Sequence, residues 1–124
     1  MAKKILIIED EDILSGLLEK KLSSLGYKVY IAEDGEKGFQ YIKDLIPDLI
    51  LLDLVLPKKG GFEILEEIQN DPALKAIPVI IISNSGQPVE LDKAKRLGAR
   101  DWLIKTEFDP QEVIEKVSKI CPPQ

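Results

Sequence analysis

An α/β fold, a doubly wound parallel sheet of five strands with five helices, is predicted by three features of the sequence. Five short apolar runs, at about 4–9, 28–32, 48–53, 78–83 and 101–105, alternate with stretches of helical period, which reads as successive βα units. Three of the runs, LIIE, DLILLD and PVIIIS, are apolar without alternation, as central parallel strands covered by helices on both faces should be. Four of the runs also end on a polar residue of a particular kind: Glu9-Asp10, Asp53, Ser83 and Lys105. In an open parallel sheet the carboxyl ends of the strands share one edge, and ligand chemistry sits in the crevice outside it. Three carboxylates, a hydroxyl and an ammonium are therefore expected to meet in one pocket.

The elements follow in order. After the first strand, Ile13, Leu14, Leu17, Leu18, Leu22 and Leu25 are read as one buried helical face, with Gly26 placed for a left-handed C-terminal cap. KVYIA mixes polar and apolar positions and reads as an edge strand. Phe39, Ile42 and Leu45 make a shorter second helix. Gly60-Gly61 reads as backbone freedom at the start of a third, carried by Phe62, Leu65 and Ile68 and stopping before Asn70-Asp71-Pro72. Leu91, Ala94 and Leu97 make a fourth, closed by Gly98. The fifth opens on Asp109 as cap, Pro110 in the first position and Glu112 at capping-box spacing. Val113, Ile114, Val117 and Ile120 are expected to face inward, with Cys121 as an apolar residue of that last helix. Short connections and right-handed crossovers make the doubly wound sheet the economical arrangement.

Size and charge narrow the function. A chain of 124 residues suits one domain with a real core, read as 1–121, with 122–124 as a tail. A net charge of −5 with scattered basic residues argues against direct nucleic-acid binding. The lone Cys121 cannot form an internal disulfide, which suits a reducing compartment. The apolar run after Met-Ala-Lys-Lys is too short for a signal peptide core, and no run approaches the roughly 18 residues of a membrane span. The expected location is cytoplasmic, with no membrane contact.

Carboxylates at buried strand ends are costly unless cations or hydrogen bonds offset them. Lys105 can neutralise one, and a hard divalent ion such as Mg2+, which takes carboxylate, water and phosphate oxygens, would satisfy the others. The absence of histidine and the single cysteine argue against zinc or copper. Carboxylates around Mg2+ beside a lysine point to phosphoryl chemistry. Asp53, alone at the end of the most apolar strand, is the candidate nucleophile, with Glu9 and Asp10 as the pair beside the metal.

These runs, ILIIEDED, DLILLDLVLPKKGGFEIL, PVIIIS and GARDWLIK, resemble a response regulator receiver domain of two-component signalling over essentially the whole chain. The resemblance implies a flavodoxin-like sheet of strand order 2-1-3-4-5. It also implies Glu9 and Asp10 as the acidic pair for Mg2+, Asp53 as phosphoacceptor and the Val55 backbone carbonyl as a further metal ligand. Ser83 matches the hydroxyl that moves toward the phosphoryl group, Trp102 the aromatic switch and Lys105 the partner of the phosphoaspartate. The implied donor is a sensor histidine kinase or phosphotransfer protein, and the output is a protein bound at the face of helix four, strand five and helix five, by a monomer or a phosphorylation-linked dimer. Beyond self-phosphorylation and autodephosphorylation, no enzymatic activity is implied.

The chain departs from the family at several positions. Thr106 stands where proline usually follows the lysine, so a trans Lys105–Thr106 peptide, or a strained cis one, and a loosely held Lys105 are expected. Asn84 replaces a small residue after Ser83, and Val55 and Ser85 occupy positions that tune water access to the phosphoryl group. Apolar Val55 cannot orient a water, so a long-lived phosphoaspartate is expected. Among rivals, a flavin site would need a phosphate-binding loop where Glu9–Asp12 stand, and no GxGxxG exists for a dinucleotide. An aspartate-nucleophile phosphatase would place a second acid at Val55. A receiver-like module that docks without phosphorylation keeps the fold and drops the chemistry.

Overall fold

Strand order in the sheet is β2-β1-β3-β4-β5, all parallel, in a computed structural model that describes residues 2–84, 86–107 and 109–123. The strands are β1 (Lys4–Ile8), β2 (Lys28–Ala32), β3 (Leu49–Asp53), β4 (Val79–Ser83) and β5 (Asp101–Ile104). Each is followed by a helix: α1 (Asp12–Ser24), α2 (Gly35–Leu45), α3 (Gly61–Gln69), α4 (Pro88–Arg96) and α5 (Pro110–Ile120). The expected strands ran a residue long in places: Glu9 and Lys105 lie just past β1 and β5.

Alternation along the strands divides the core between two faces. Ile5, Ile7, Leu49, Leu51, Ile80, Ile82 and Leu103 pack with residues of α1 and α5, while Leu6, Ile8, Ile50, Leu52, Val79 and Ile81 pack with α2, α3 and α4. Every residue of β3 and β4 is buried, as two-sided coverage requires. β2 lies at the edge and is only partly buried, as its mixed composition predicted.

The helix ends follow their signals. Asp34 and Asp109 accept hydrogen bonds from Lys37 N and Glu112 N at 2.8 and 2.9 Å, capping α2 and α5. Gly26 and Gly98 take φ of 98° and 95° after α1 and α4. α5 ends at Ile120, so Cys121 is its buried C-cap rather than a helical residue, and its carbonyl accepts from the Tyr27 hydroxyl.

Two further expectations need correction. In α1 only Leu18 and Leu22 of the predicted face are fully buried, and Ser15 shares their side of the helix. Ile13 is 90% exposed, and Leu17 and Leu25 also face solvent, because the apolar arc is wider than the stripe that β1, β2 and α5 can cover. Gly60 and Gly61 both lie outside the positive-φ region, so freedom is not what they supply. A Cβ at Gly61 would stand 2.6 Å from the Asp53 carbonyl oxygen and 2.7 Å from Leu54 Cα; the close approach of α3 to the end of β3 needs the missing side chain. Among the described residues no helix is long and apolar enough to cross a membrane.

Candidate functional site

The sheet register sets the site. Ile8 pairs with Leu52, so Glu9 and Asp53, each one residue further on, stand abreast, and Glu9 N extends the β1 ladder to the Ala32 carbonyl at 3.0 Å. At the other edge Ser83 pairs with Ile104, and Lys105 N bonds the Ser83 carbonyl at 2.7 Å. Backbone pairing thus fixes where Glu9 and Lys105 leave the sheet.

The Lys105 ammonium reaches back between two strand ends. It donates to Glu9 Oε1 at 2.6 Å and to Asp53 Oδ2 at 2.9 Å, with Glu11 Oε1 at 3.7 Å. The Glu9, Asp53 and Lys105 side chains are 1%, 4% and 7% exposed, so these charges face each other nearly free of water. The Lys105–Thr106 peptide is trans, the first of the two alternatives expected. The expected loose hold on Lys105 is not seen: two buried carboxylates hold the ammonium in place. Asp53 Oδ1 accepts from Val55 N at 3.1 Å, so the two oxygens of this carboxylate are oriented separately, one by the lysine and one by the loop backbone.

One ammonium between two carboxylates leaves a deficit, and Glu9 carries it. Burial, then the neighbouring Asp53 carboxylate, outweigh the Lys105 ammonium and push Glu9 up to about 8. For Lys105 burial works against the charged form, but the hydrogen bonds to Glu9 and Asp53 prevail and its pKa rises above the ordinary value. Glu9 Oε2 is buried without a hydrogen-bond partner among the described residues. Oxygens of Glu9, Asp10 and Asp53 all lie within 4.8 Å of one another. An orphaned buried carboxylate oxygen in an all-oxygen donor set is what a hard divalent cation would satisfy, so the residues present fit Mg2+.

Ser83 is buried at the end of β4, and Asn84 beside it is exposed. Ser85 lies outside the described residues. The Val55 side chain is 78% exposed, and Thr106 faces solvent. Trp102 is half-buried against the core that α4 helps to form, between a cleft of about 550 Å3 that Leu91, Ala94 and Ala99 help to line and a smaller one reaching Ile104, Glu107 and Glu112.

Sequence reasoning missed two features. Glu11 adds a third carboxylate near Lys105, which its place in the acidic run Glu9–Asp12 could have suggested. The turn Asp34-Gly35 touches the loop after β3: Gly35 N bonds the Pro57 carbonyl at 3.1 Å, and Asp34 Oδ2 lies 3.7 Å from Lys58 Nζ. Asp-Gly before a helical stretch signals a cap, but nothing local says which loop it meets.

The chain is similar to known proteins along nearly its whole length. A family model described as response regulator receiver domain matches residues 5–118. The DNA-binding dual master transcriptional regulator RpaA of Synechocystis sp. (strain ATCC 27184 / PCC 6803 / Kazusa) is 39% identical over 114 residues, 92% of this chain and 47% of that protein. The Mn2+-bound form of the response regulator Rcp1 superposes with a TM-score of 0.82 at 30% identity, covering 94% of this chain and 92% of that one. A CheY-like response regulator receiver domain protein from Methanospirillum hungatei JF-1 gives 0.85 at 25% identity, covering 96% and 93%. The chain spans between a third and a half of the curated relatives it matches.

Proposed function

We propose, from the premise that this chain belongs to the response regulator receiver domain family of two-component signalling, that it is a Mg2+-dependent phosphoryl switch with Asp53 as acceptor. The observation that carries this reading is the buried Glu9–Lys105–Asp53 constellation beside Asp10 at the carboxyl edge of the sheet. Glu9, Asp10, Asp53 and the Val55 backbone carbonyl would hold the ion. When bound, the ion would supply positive charge that screens phosphoryl oxygens from the carboxylates. The manganese named for Rcp1 supports a divalent cation here as well.

The donor is a phosphohistidine on a sensor kinase or phosphotransfer protein. An Asp53 carboxylate oxygen bonds to phosphorus, the nitrogen–phosphorus bond breaks, and the imidazole leaves with its electron pair and takes up a proton. Val55 N keeps Asp53 Oδ1 in place, and Lys105 turns its ammonium from Asp53 Oδ2 to an oxygen of the new group, which adds about −1.5 to −2 charge. Ser83 donates its hydroxyl to the same group, drawing the end of β4 inward, and Trp102 repacks beside α4. The face of α4, β5 and α5 thereby changes shape for a downstream protein partner. The exposed, apolar Val55 orients no water, which favours a long-lived phosphoaspartate, and the exposed Asn84 and Thr106 follow Ser83 and Lys105 directly in the chain.

The DNA binding named for RpaA belongs to a protein of which this chain spans less than half. A domain of net charge −5 contributes no nucleic-acid contact of its own and works in the cytoplasm as monomer or phosphorylation-linked dimer. The deciding experiment is intact mass after incubation with acetyl phosphate, with Mg2+ or with EDTA, for the native chain and Asp53→Asn. A gain of about 80 Da, one phosphoryl group, that needs both Mg2+ and Asp53 is the expected result. No gain under any condition would leave a docking module that works without phosphorylation.

A further inference from the structure

The loop between β3 and α3 leaves Asp53 and returns at Gly61 through a tight, strained turn. Lys59 N bonds the Pro57 carbonyl at 2.8 Å, closing a three-residue turn around Lys58, whose φ is 70°. A three-residue turn of this hand is rare and strained, and a lysine gains nothing from it locally. Strain of this kind persists only where the surroundings over-determine the backbone, so something outside the loop must hold it.

That something is the first turn of α2. The Pro57 carbonyl that closes the loop turn also accepts from Gly35 N, the Lys58 ammonium faces Asp34, and Gly35 lies flat against Lys59. A Cβ at Gly35 would stand 1.7 Å from the Lys59 carbonyl oxygen, an overlap no side-chain adjustment relieves, because the obstructing atom is backbone. Lys59 then lays its ammonium 4.4 Å from the centroid of the Phe39 ring of α2 and 2.6 Å from Glu67 of α3. At its near end the loop is pinned by Gly61 N to the Leu54 carbonyl at 3.0 Å, and from there Val55 N orients Asp53 Oδ1. The loop has two anchored ends, and α2 holds the far one.

We infer that the Asp34-Gly35 turn of α2 is a positioning clamp for the phosphoacceptor loop, setting Mg2+ affinity and phosphoryl uptake from across the β3–α3 connection without touching the ligand. The inference rests on the phosphoryl-switch reading for the identity of that ligand. Gly35 and Asp34 act through Pro57 and Lys58 on Val55, and through Val55 on Asp53. Outer-shell partners that orient metal ligands typically matter about tenfold or more in affinity.

The test measures Mg2+ affinity of the phosphate-free chain by calorimetry, and the Mg2+ dependence of phosphorylation by acetyl phosphate, for the native chain, Gly35→Ala, Lys58→Gly and Gly98→Ala. Gly98→Ala is the control for general destabilisation, because its φ of 95° and its contact with Gln69 lie at the far end of the β5 connection. Gly35→Ala is expected to weaken Mg2+ about tenfold, with the phosphorylation rate recovering at saturating Mg2+. Lys58→Gly relieves the strained φ, so it is expected to keep or raise stability while still weakening Mg2+ by severalfold; a purely structural role would not separate the two. Affinities within about twofold of native for Lys58→Gly, and for Gly35→Ala if it folds, would overturn the clamp. A native chain that neither binds Mg2+ nor gains a phosphoryl group would overturn the functional reading instead.

Discussion

Two carboxylates and one ammonium share the buried end of the sheet, and the unshielded charge falls on Glu9. Its native pKa of about 8 stands above the 4.5 of a free glutamate, so between those values the native chain keeps a proton that the unfolded chain has lost. Stability of the metal-free protein therefore falls as pH rises from about 5 to 8, by on the order of 1 kcal/mol per unit. Lys105, raised from an already basic value, adds nothing to the slope in that window. Urea titrations in EDTA at pH 5 to 8 should show the fall for the native chain and a much flatter profile for Glu9→Gln; equal slopes would remove Glu9 as the cause. A second residue carries conformational cost. Ile46, β-branched and 46% exposed, ends α2 in the left-handed region at φ 45° and ψ 67°. Asparagine tolerates that region, so Ile46→Asn is expected to stabilise by about 1 kcal/mol in the same titrations.

Helix α1 shows what periodicity can and cannot say about an element. The helical period placed the helix and its Gly26 stop correctly, but six apolar residues fitted one broad arc, and the sequence could not tell which part would meet the sheet. Burial depends on neighbours distant in the chain: β2 and α5 cover Leu18 and Leu22, while Ile13 stays 90% exposed. Truncation should separate the two classes, with Leu18→Ala costing about 2–5 kcal/mol and Ile13→Ala within about 0.5 kcal/mol of native. Comparable losses at both positions would mean that the outer face of α1 is packed. The strand ends were legible for the opposite reason. A polar residue closing an apolar run is a local signal, and a parallel sheet converts strand ends into spatial neighbours, so Glu9, Asp53, Ser83 and Lys105 could be grouped before any coordinate. The contact of Asp34-Gly35 with Pro57–Lys59 had no such signal, because it joins a helix start to a loop whose relative placement only the packed sheet defines. Gly61 was noticed and misread, since a close approach leaves no trace in sequence beyond the glycine itself.

At the scale of the whole molecule, two apolar cores on either side of one sheet support a carboxyl edge that is electrostatically unfavourable on its own. β1 and β3, which pair with each other and send residues into both cores, are the strands whose ends bring Glu9 and Asp53 together, so folding forces the carboxylates into proximity. Under the phosphoryl-switch reading a divalent cation relieves that conflict. Only the folded chain assembles Glu9, Asp10 and Asp53 within reach of one ion, so Mg2+ binds the native state and raises its stability by linkage, about 2.7 kcal/mol at a hundredfold excess over the dissociation constant. For a domain of this size that is a rise on the order of 10 °C in Tm. The ion requires ionised carboxylates, and below about pH 8 it must displace the Glu9 proton, so the rise should be larger at pH 8 than at pH 6. Adding EDTA should reverse it, and Asp10→Asn should reduce it while leaving metal-free stability nearly unchanged, because Asp10 is exposed and makes no ion pair among the described residues. Thermal melts with and without Mg2+ at the two pH values read all of this. A shift of equal size at both would show that the ion binds without displacing that proton, and a full shift in Asp10→Asn would place the cation elsewhere on the acidic surface.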